Sequence, residues 1–539
     1  NPTEKEKVIV KLMYPLHPVT LFMLPHLSNM FGQNERTLFT FLESEETGGL
    51  YNHMLKSTSY YRSYQLFDYF FPNPSENDVD LEVAQHILLF KKAVARIPDN
   101  LLNKKYAFNL IKFITLWNLC GLQKEQKLSS DFIKFAIQDE TNEVEEILDI
   151  LSEHKVIRFN KVGEYWELHT GSTIDIHEKI ESKKAKYIIN KGNILKVLTK
   201  NLGKKYYFPE KYNDEKDMTR FAKVQIILED DLGSLKPSLK KDSDLTIYYV
   251  IPQKELNDDQ LIKKISSLSK LEDVIFAVHS VPLDTIKNEL LESYIIEELL
   301  RDKEFLSEDK GVKEELNILL KEANHVVYKY LSSFTEFDET VQWITDTGRK
   351  HLKSEIDLSD LLSEKCNILY RDTPKIINDS FNRMNISAPQ KKGAISLVDG
   401  IINCPNESKF GIQGSGPDYA IYASIFKNNG RFDLNVNNLD YSNIKYPPYR
   451  LLRTKLINLL DEKPRGNFND IVKIFTAPPF GIRKPVVPIL LVAMLRDRWN
   501  EFMLYRNEIF VPGLNGNKLY EILEEEGPEN YQYTYEKID

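Results

Sequence analysis

Cysteine is nearly absent from this 539-residue chain: Cys120, Cys366 and Cys404 lie far apart, with no CxxC pair. That spacing excludes a disulfide framework and a cysteine zinc site, and it favours a reducing compartment, so the expected location is the cytoplasm. Long apolar runs are also missing. None reaches the roughly 18 residues that suggest a bilayer span, and the first residues lack the order of a secretion signal, so no membrane partner is expected. No GxxxxGK(S/T) occurs, which removes the backbone cradle and lysine of a complete P-loop ATPase. HExxH, paired ligand spacings among the ten histidines and GxSxG are absent as well, so no hydrolase site is encoded. Positive charge is in deficit, with 71 Lys and Arg against 80 Asp and Glu and a net charge of -9. Indiscriminate polyanion binding is thereby disfavoured, although a local basic face can still bind DNA. Internal repeats and low-complexity segments are lacking too.

What is present suffices to build cores: 42% of residues are hydrophobic and 11% aromatic, and the length suits about three to four domains. The expected fold is mainly α with α+β parts, in several domains. Residues 1–102 predict a helical, lid-like region, because "NERTLFTFLES" and "VAQHILLFKKAVARI" space their apolar residues at three and four. Residues 103–180 predict three helices, "KYAFNLIKFITLWNLCG", "LSSDFIKFAIQ" and "NEVEEILDILSEH", and then two strands, "KVIRFN" and "EYWELH". This is the order of a winged helix. Its third helix carries Glu143, Glu145, Glu146, Asp149 and Glu153, which repel phosphates, so it is expected to contact protein rather than DNA. Residues 181–340 predict a small α/β domain, with strands in "FAKVQIILED", "LTIYYVIP" and "DVIFAVHSVP", and then a long amphipathic helix. Residues 341–539 predict a mainly helical C-terminal domain. Within it, residues 441–510 hold twelve Lys or Arg against six Asp or Glu, a basic face. The final "EILEEEGPENYQYTYEKID" is acidic, and a solvated tail is favoured over one folded back on that face.

Candidate chemistry is sparse. Gly411, Gly414 and Gly416 in "GIQGSGPDY" imitate a phosphate loop, but no strand precedes them and Pro417 follows, so a turn and helix start fit better. Glu229, Asp230 and Asp231 close a predicted strand where Mg2+ could sit, though a solvated turn is the commoner outcome. His17 and His26 lie beside prolines without ligand spacing. Arg36, in "FGQNERTLFTFL", starts a helix after a glycine turn, and its permanent charge and fork of donors suit a γ-phosphate. A surface arginine is the plainer reading. In the basic stretch, Arg450, Arg453, Arg483 and Lys484 are candidate contacts to nucleic acid or a partner. Phosphate contacts there are expected to be salt-sensitive and indifferent to base sequence.

The chain carries, in one order, "YPLHPVTLFMLPHLSNMFGQNERTLFTFL", "EYWELHTGSTIDI", "YYFPEKYNDEKDMTRFAKVQII", "TPKIINDSFNRMNIS", "SGPDYAIYASIF" and "TAPPFGIRKPVVPILLVA" followed by "LYRNEIFVPGL". Together these resemble the part that follows the nucleotide-binding core in large bacterial P-loop ATPases, AAA-like or STAND-like, of anti-phage defence systems, including BREX-type ATPases and their relatives. The resemblance spans nearly the whole chain. It implies a parent protein whose upstream domain binds ATP and Mg2+, with no cofactor bound by this chain alone. Residues 1–102 then complete the lid of that domain, with His17 and Arg36 sensing nucleotide. The rest is a regulatory scaffold coupling nucleotide state to partner or DNA engagement. The partners implied are the upstream domain or a separate ATPase subunit, and other defence-system proteins; DNA and a homo-oligomer stay open. The alternatives are a nucleic-acid-binding module acting through 441–510 and a stand-alone subunit. Arg220, Arg383, Arg483 and Lys484 fall in the recurring motifs, without an established chemical role. Pro485 departs from the pattern, since such proteins commonly have glycine there, and proline removes a backbone donor and restricts φ.

Overall fold

The computed structural model describes residues 12–31, 38–72, 81–99, 101, 103–137, 143–169, 171, 175–235, 243–254, 265, 272–309, 311–383, 385–427 and 444–537. The chain is mainly helical with mixed sheets, and it divides into two compact units. One comprises Asn1–Val197 and Asn288–Val327, the other Leu198–Lys287 and Tyr328–Asp539. Among the described residues, no helix is long and apolar enough to cross a membrane.

In the first unit, a single core runs from Leu16 to Leu168, across the boundary expected at residue 102. The reason is aromatic packing between the helices on either side of that point. Phe90, in helix Leu81–Ala95, lies 4.3 Å from Phe67 and 6.0 Å from Phe108 in helix Lys104–Leu119, ring centre to ring centre. Helix Lys104–Leu119 is apolar on more than one face, burying Leu110, Ile111, Phe113, Ile114, Leu116 and Trp117, so it forms the axis about which the others pack. Helices Ser130–Ile137 and Glu143–Glu153 follow, and strands β1 (Ile157–Asn160) and β2 (Tyr165–Leu168) then pair as an antiparallel hairpin. A second cluster joins Ile176 and Ile180 to Ile295, Ile296, Leu299, Phe305, Val312 and Leu316. The helices that end the expected α/β domain therefore pack with residues 176–184 in the first unit, because their apolar stripes meet there.

The second unit holds a six-stranded sheet in the order β3 (Tyr206–Tyr207), β4 (Ala222–Leu228), β5 (Leu245–Ile251), β6 (Val274–His279), β7 (Val341–Thr345), β8 (Gly348–Lys350). Strands β4, β5 and β6 run parallel, and β3, β7 and β8 pair antiparallel at the edges. Every residue of β6 is buried, as expected for an inner strand of a mixed sheet covered on both faces. The boundary expected at 340 falls just before β7, whose register on β6 pairs Val341 with His279 and Ile344 with Phe276. Main-chain pairing thus carries the sheet past that point.

The acidic C-terminal run differs most from expectation. Strands β9 (Arg465–Asn467), β10 (Phe502–Arg506), β11 (Ile509–Phe510) and β12 (Gln532–Tyr535) form a sheet in the order β11-β10-β12-β9, so the tail is an inner strand rather than solvated. Its alternation explains this, because Tyr531, Tyr533 and Tyr535 all face the core and are buried. Ahead of it, Glu526 accepts from Arg506 of the basic stretch at 2.6 Å and from Lys518 beyond that stretch at 2.8 Å.

Candidate functional site

Strand register brings the first two charges together. Ala222 pairs with Leu245 in the β4–β5 ladder, so the residues just before each strand, Arg220 with Phe221 and Asp244, are neighbours at one end of the sheet. The Asp244 amide donates to the Phe221 carbonyl at 3.1 Å, and the Asp244 carboxylate accepts from the Phe221 amide at 3.1 Å. Arg220 then reaches the same carboxylate, Nη1 to Oδ1, at 2.6 Å. Helix Glu210–Lys216 ends in a left-handed Asp217, and Asn213 clamps the loop by accepting from the Arg220 amide and donating to its carbonyl, both at 2.9 Å.

Arg483 arrives from 239 residues further on and holds Asp244 with two parallel bonds of 2.9 Å, the bidentate geometry that makes guanidinium–carboxylate pairs strong. Its remaining donors go to the carbonyls of Thr219 at 2.8 Å and Asn382 at 3.3 Å. Arg220 also donates to Thr373 Oγ1 at 3.0 Å and the Gly481 carbonyl at 2.8 Å, and its guanidinium lies 3.7 Å from the centre of the Tyr370 ring. Tyr212 closes the network, donating to the Tyr370 carbonyl at 2.9 Å and bonding Thr373 at 3.0 Å. Arg220, Asp244 and Arg483 are 1%, 5% and 8% exposed, so two guanidinium groups share one carboxylate inside the protein.

Electrostatics follow from that count. Burial by itself raises the Asp244 carboxyl, but Arg483 and Arg220 outweigh it and hold the group below the ordinary carboxylate value. Burial opposes the charge on Arg220, and Asp244 more than offsets it. The nearby Cys366 thiol is pushed up to about 12, chiefly by burial, so it is a protonated, unreactive packing group. The charges of the cluster are engaged in internal bonds and packing, Arg220 Nε being buried without a hydrogen-bond partner, and its chemistry is that of a lock between distant segments. Gly481 is part of that lock. Its φ is +55, and a Cβ would stand 2.4 Å from Tyr370 Cδ1 and 2.6 Å from Arg220 Nη2. Gly481→Ala is expected to cost at least about 2 kcal/mol in urea unfolding, from the left-handed penalty together with displaced Arg220 bonds. An unchanged midpoint would show that the loop relaxes freely.

The sequence-derived candidates are placed unevenly. Arg483 belongs to the lock, so it is not a surface contact for phosphate, because its donors are spent on Asp244 and two carbonyls. Arg453 is internal for a similar reason: it is 8% exposed, bonded to the Met494 carbonyl, and paired with Asp497 at 2.6 Å. Arg450 and Lys484 are exposed. Pro485 is buried in a short 3-10 turn, Lys484–Val486, and its carbonyl accepts from Tyr520 at 2.6 Å. His17 is 1% exposed and packs against Phe135. Its Nδ1 accepts the Val19 amide at 3.3 Å at the start of helix Pro18–Phe31. Burial, with Arg62 adding to it, lowers its pKa to about 4, so it is a neutral helix-capping group. Arg36 lies outside the described residues. Gly411 and Gly414 have positive φ and Gly416 precedes helix Pro417–Tyr422, a turn and helix start. Asp230 bonds Gln253 at 2.9 Å, and the described residues hold no group of three or more metal-ligating side chains.

Sequence reasoning missed Asp244, Thr373, Tyr370 and Tyr212. Asp244 alone left a trace, an acid set directly before the apolar run "LTIYYV". No family model matches the chain, and no curated protein or solved structure matches it either.

Proposed function

We propose that this chain is a regulatory and scaffold region of an ATP-driven anti-phage defence protein, coupling the nucleotide state of a P-loop domain to the engagement of partners. The observation that supports this reading is the Arg220–Asp244–Arg483 lock. Three of the motifs that carry the resemblance, those around Arg220, Asn382 and Arg483, are joined by it, and a set of buried charges tied to carbonyls is suited to holding a platform rather than to turnover. In this reading residues 1–102 serve as the lid of the nucleotide-binding domain, which is supplied upstream in a longer protein or by a separate subunit. Helices Lys104–Leu119, Ser130–Ile137 and Glu143–Glu153 with the β1–β2 hairpin serve as a winged helix turned to protein contact. The acids of its third helix favour that role, Glu145 pairing with Lys134 at 2.6 Å. DNA binding through 441–510 has less to rest on, since two of its four named candidates, Arg453 and Arg483, are internal, while Arg450 and Lys484 are exposed.

Arg36→Ala in the ATPase assembly tests the reading. If Arg36 contacts a γ-phosphate, ATP turnover falls at least about 10-fold, a modest demand on an arginine in phosphoryl transfer. Unchanged turnover removes Arg36 from nucleotide sensing.

A further inference from the structure

Within the first unit, the β1–β2 hairpin, helices Leu81–Ala95 and Lys104–Leu119 and the early turns of helix Val312–Thr335 line a cavity of about 570 Å³. That volume lies inside the roughly 300–1,000 Å³ of small-molecule sites. Arg158 lines it between two acids, donating from Nε to Glu167 at 2.7 Å and from Nη1 to Glu322 at 3.3 Å. Lys321, next to Glu322 in the chain, is exposed and also lines the cavity, while Leu89 and Ile318 supply apolar wall.

Charge decides what such a cavity accepts. Arg158 and Lys321 balance Glu167 and Glu322, so the lining carries both signs and no excess of either. An ion of one sign gains from half of these groups and is repelled by the other half. A neutral apolar molecule strips water from four charged groups and returns no hydrogen bonds. A zwitterion with an apolar body satisfies both signs and covers the wall.

We propose that this cavity binds a zwitterionic small molecule of the free α-amino-acid class with an apolar side chain, its carboxylate toward Lys321 and Arg158 and its ammonium toward Glu322 and Glu167. Arg158 has committed Nε and Nη1 to the acids, which leaves Nη2 for a ligand carboxylate. Burial pushes the Glu322 carboxyl up, against the pull of Arg158 and Lys161, so a ligand ammonium beside it offsets a cost already present in the fold. The inference does not depend on the ATPase reading.

Saturation-transfer NMR and equilibrium dialysis of the full chain against the twenty common amino acids, one at a time, test it. At least one of leucine, phenylalanine and tryptophan binds, and its N-acetylated and amidated forms, each lacking one charge, bind at least about 10-fold more weakly. Glu322→Gln weakens binding at least about 10-fold. Lys321→Met, at an exposed position that leaves the fold intact, weakens it at least about threefold. The proposal is overturned if no amino acid binds at millimolar concentration, if the blocked analogues bind as well as the free ones, or if Lys321→Met binds like the unaltered chain. Should Glu322→Gln fail to fold, the analogues and Lys321→Met decide.

Discussion

Asp244→Asn lowers the stability of the second unit by about 3–5 kcal/mol at neutral pH, the cost of leaving a buried opposite charge uncompensated. The substitution keeps the shape of the side chain, so the loss is electrostatic. Arg220 and Arg483 retain their bonds to carbonyls but have no anion between them. The dependence on pH separates this from a packing defect. The folded pKa of Asp244 lies below its unfolded value, so its contribution is complete above about pH 4 and is lost as pH falls through the folded value. The difference between the unaltered chain and Asp244→Asn therefore narrows on acidification below about pH 4 and is constant above pH 5. Urea unfolding followed by tyrosine and tryptophan fluorescence at several pH values measures both. A difference under about 1 kcal/mol at pH 7 would mean that the two arginines find water in the altered protein and that the lock is loose.

Deleting residues 531–539 abolishes folding of the C-terminal core. The deletion removes β12, which pairs with β10 on one side and β9 on the other, and with it Tyr531, Tyr533 and Tyr535. These are 0%, 0% and 4% exposed, and burial of each aromatic is worth about 3–5 kcal/mol by the cost of truncating such residues to alanine. Their sum, on the order of 10 kcal/mol, matches the whole stability of an ordinary domain. Tyr533→Ala gives the graded version: about 3–5 kcal/mol, with loss of the bond from its hydroxyl to the Lys463 carbonyl at 2.8 Å. Limited proteolysis and far-UV circular dichroism of the truncated chain read the outcome. A protease-resistant core with the original unfolding midpoint would return the tail to the solvated state that its acidity suggests.

That tail shows why part of the fold was legible and part was not. "YQYTY" alternates as a strand does, but the acids of "EEEGPE" dominate its composition, and local charge does not disclose that Arg506 and Lys518 wait for Glu526. The same limit hid Asp244. Its importance arises from one step of strand register and from Arg483, far along the chain, and neither leaves a periodic signal. The inward turn of Arg453 and Arg483 was hidden for a related reason, since a basic count over a stretch does not distinguish side chains facing solvent from those turned onto carboxylates and carbonyls inside.

By itself, the sequence determined the element types in order: the helix Lys104–Leu119, the β1–β2 hairpin, the strands β4, β5 and β6, the long helix Val312–Thr335 and the turn at Gly411–Gly416. Each rests on a period of side chains or on the backbone preferences of glycine and proline, which act over a few residues. Only the tertiary structure decided where the units divide, that β7 and β8 extend the sheet, that the acidic end is an inner strand, and that Arg220, Asp244 and Arg483 share one buried cluster. These depend on pairing and burial between residues up to 264 positions apart, as Thr219 and Arg483 are, and burial is a property of the packed chain rather than of any segment of it.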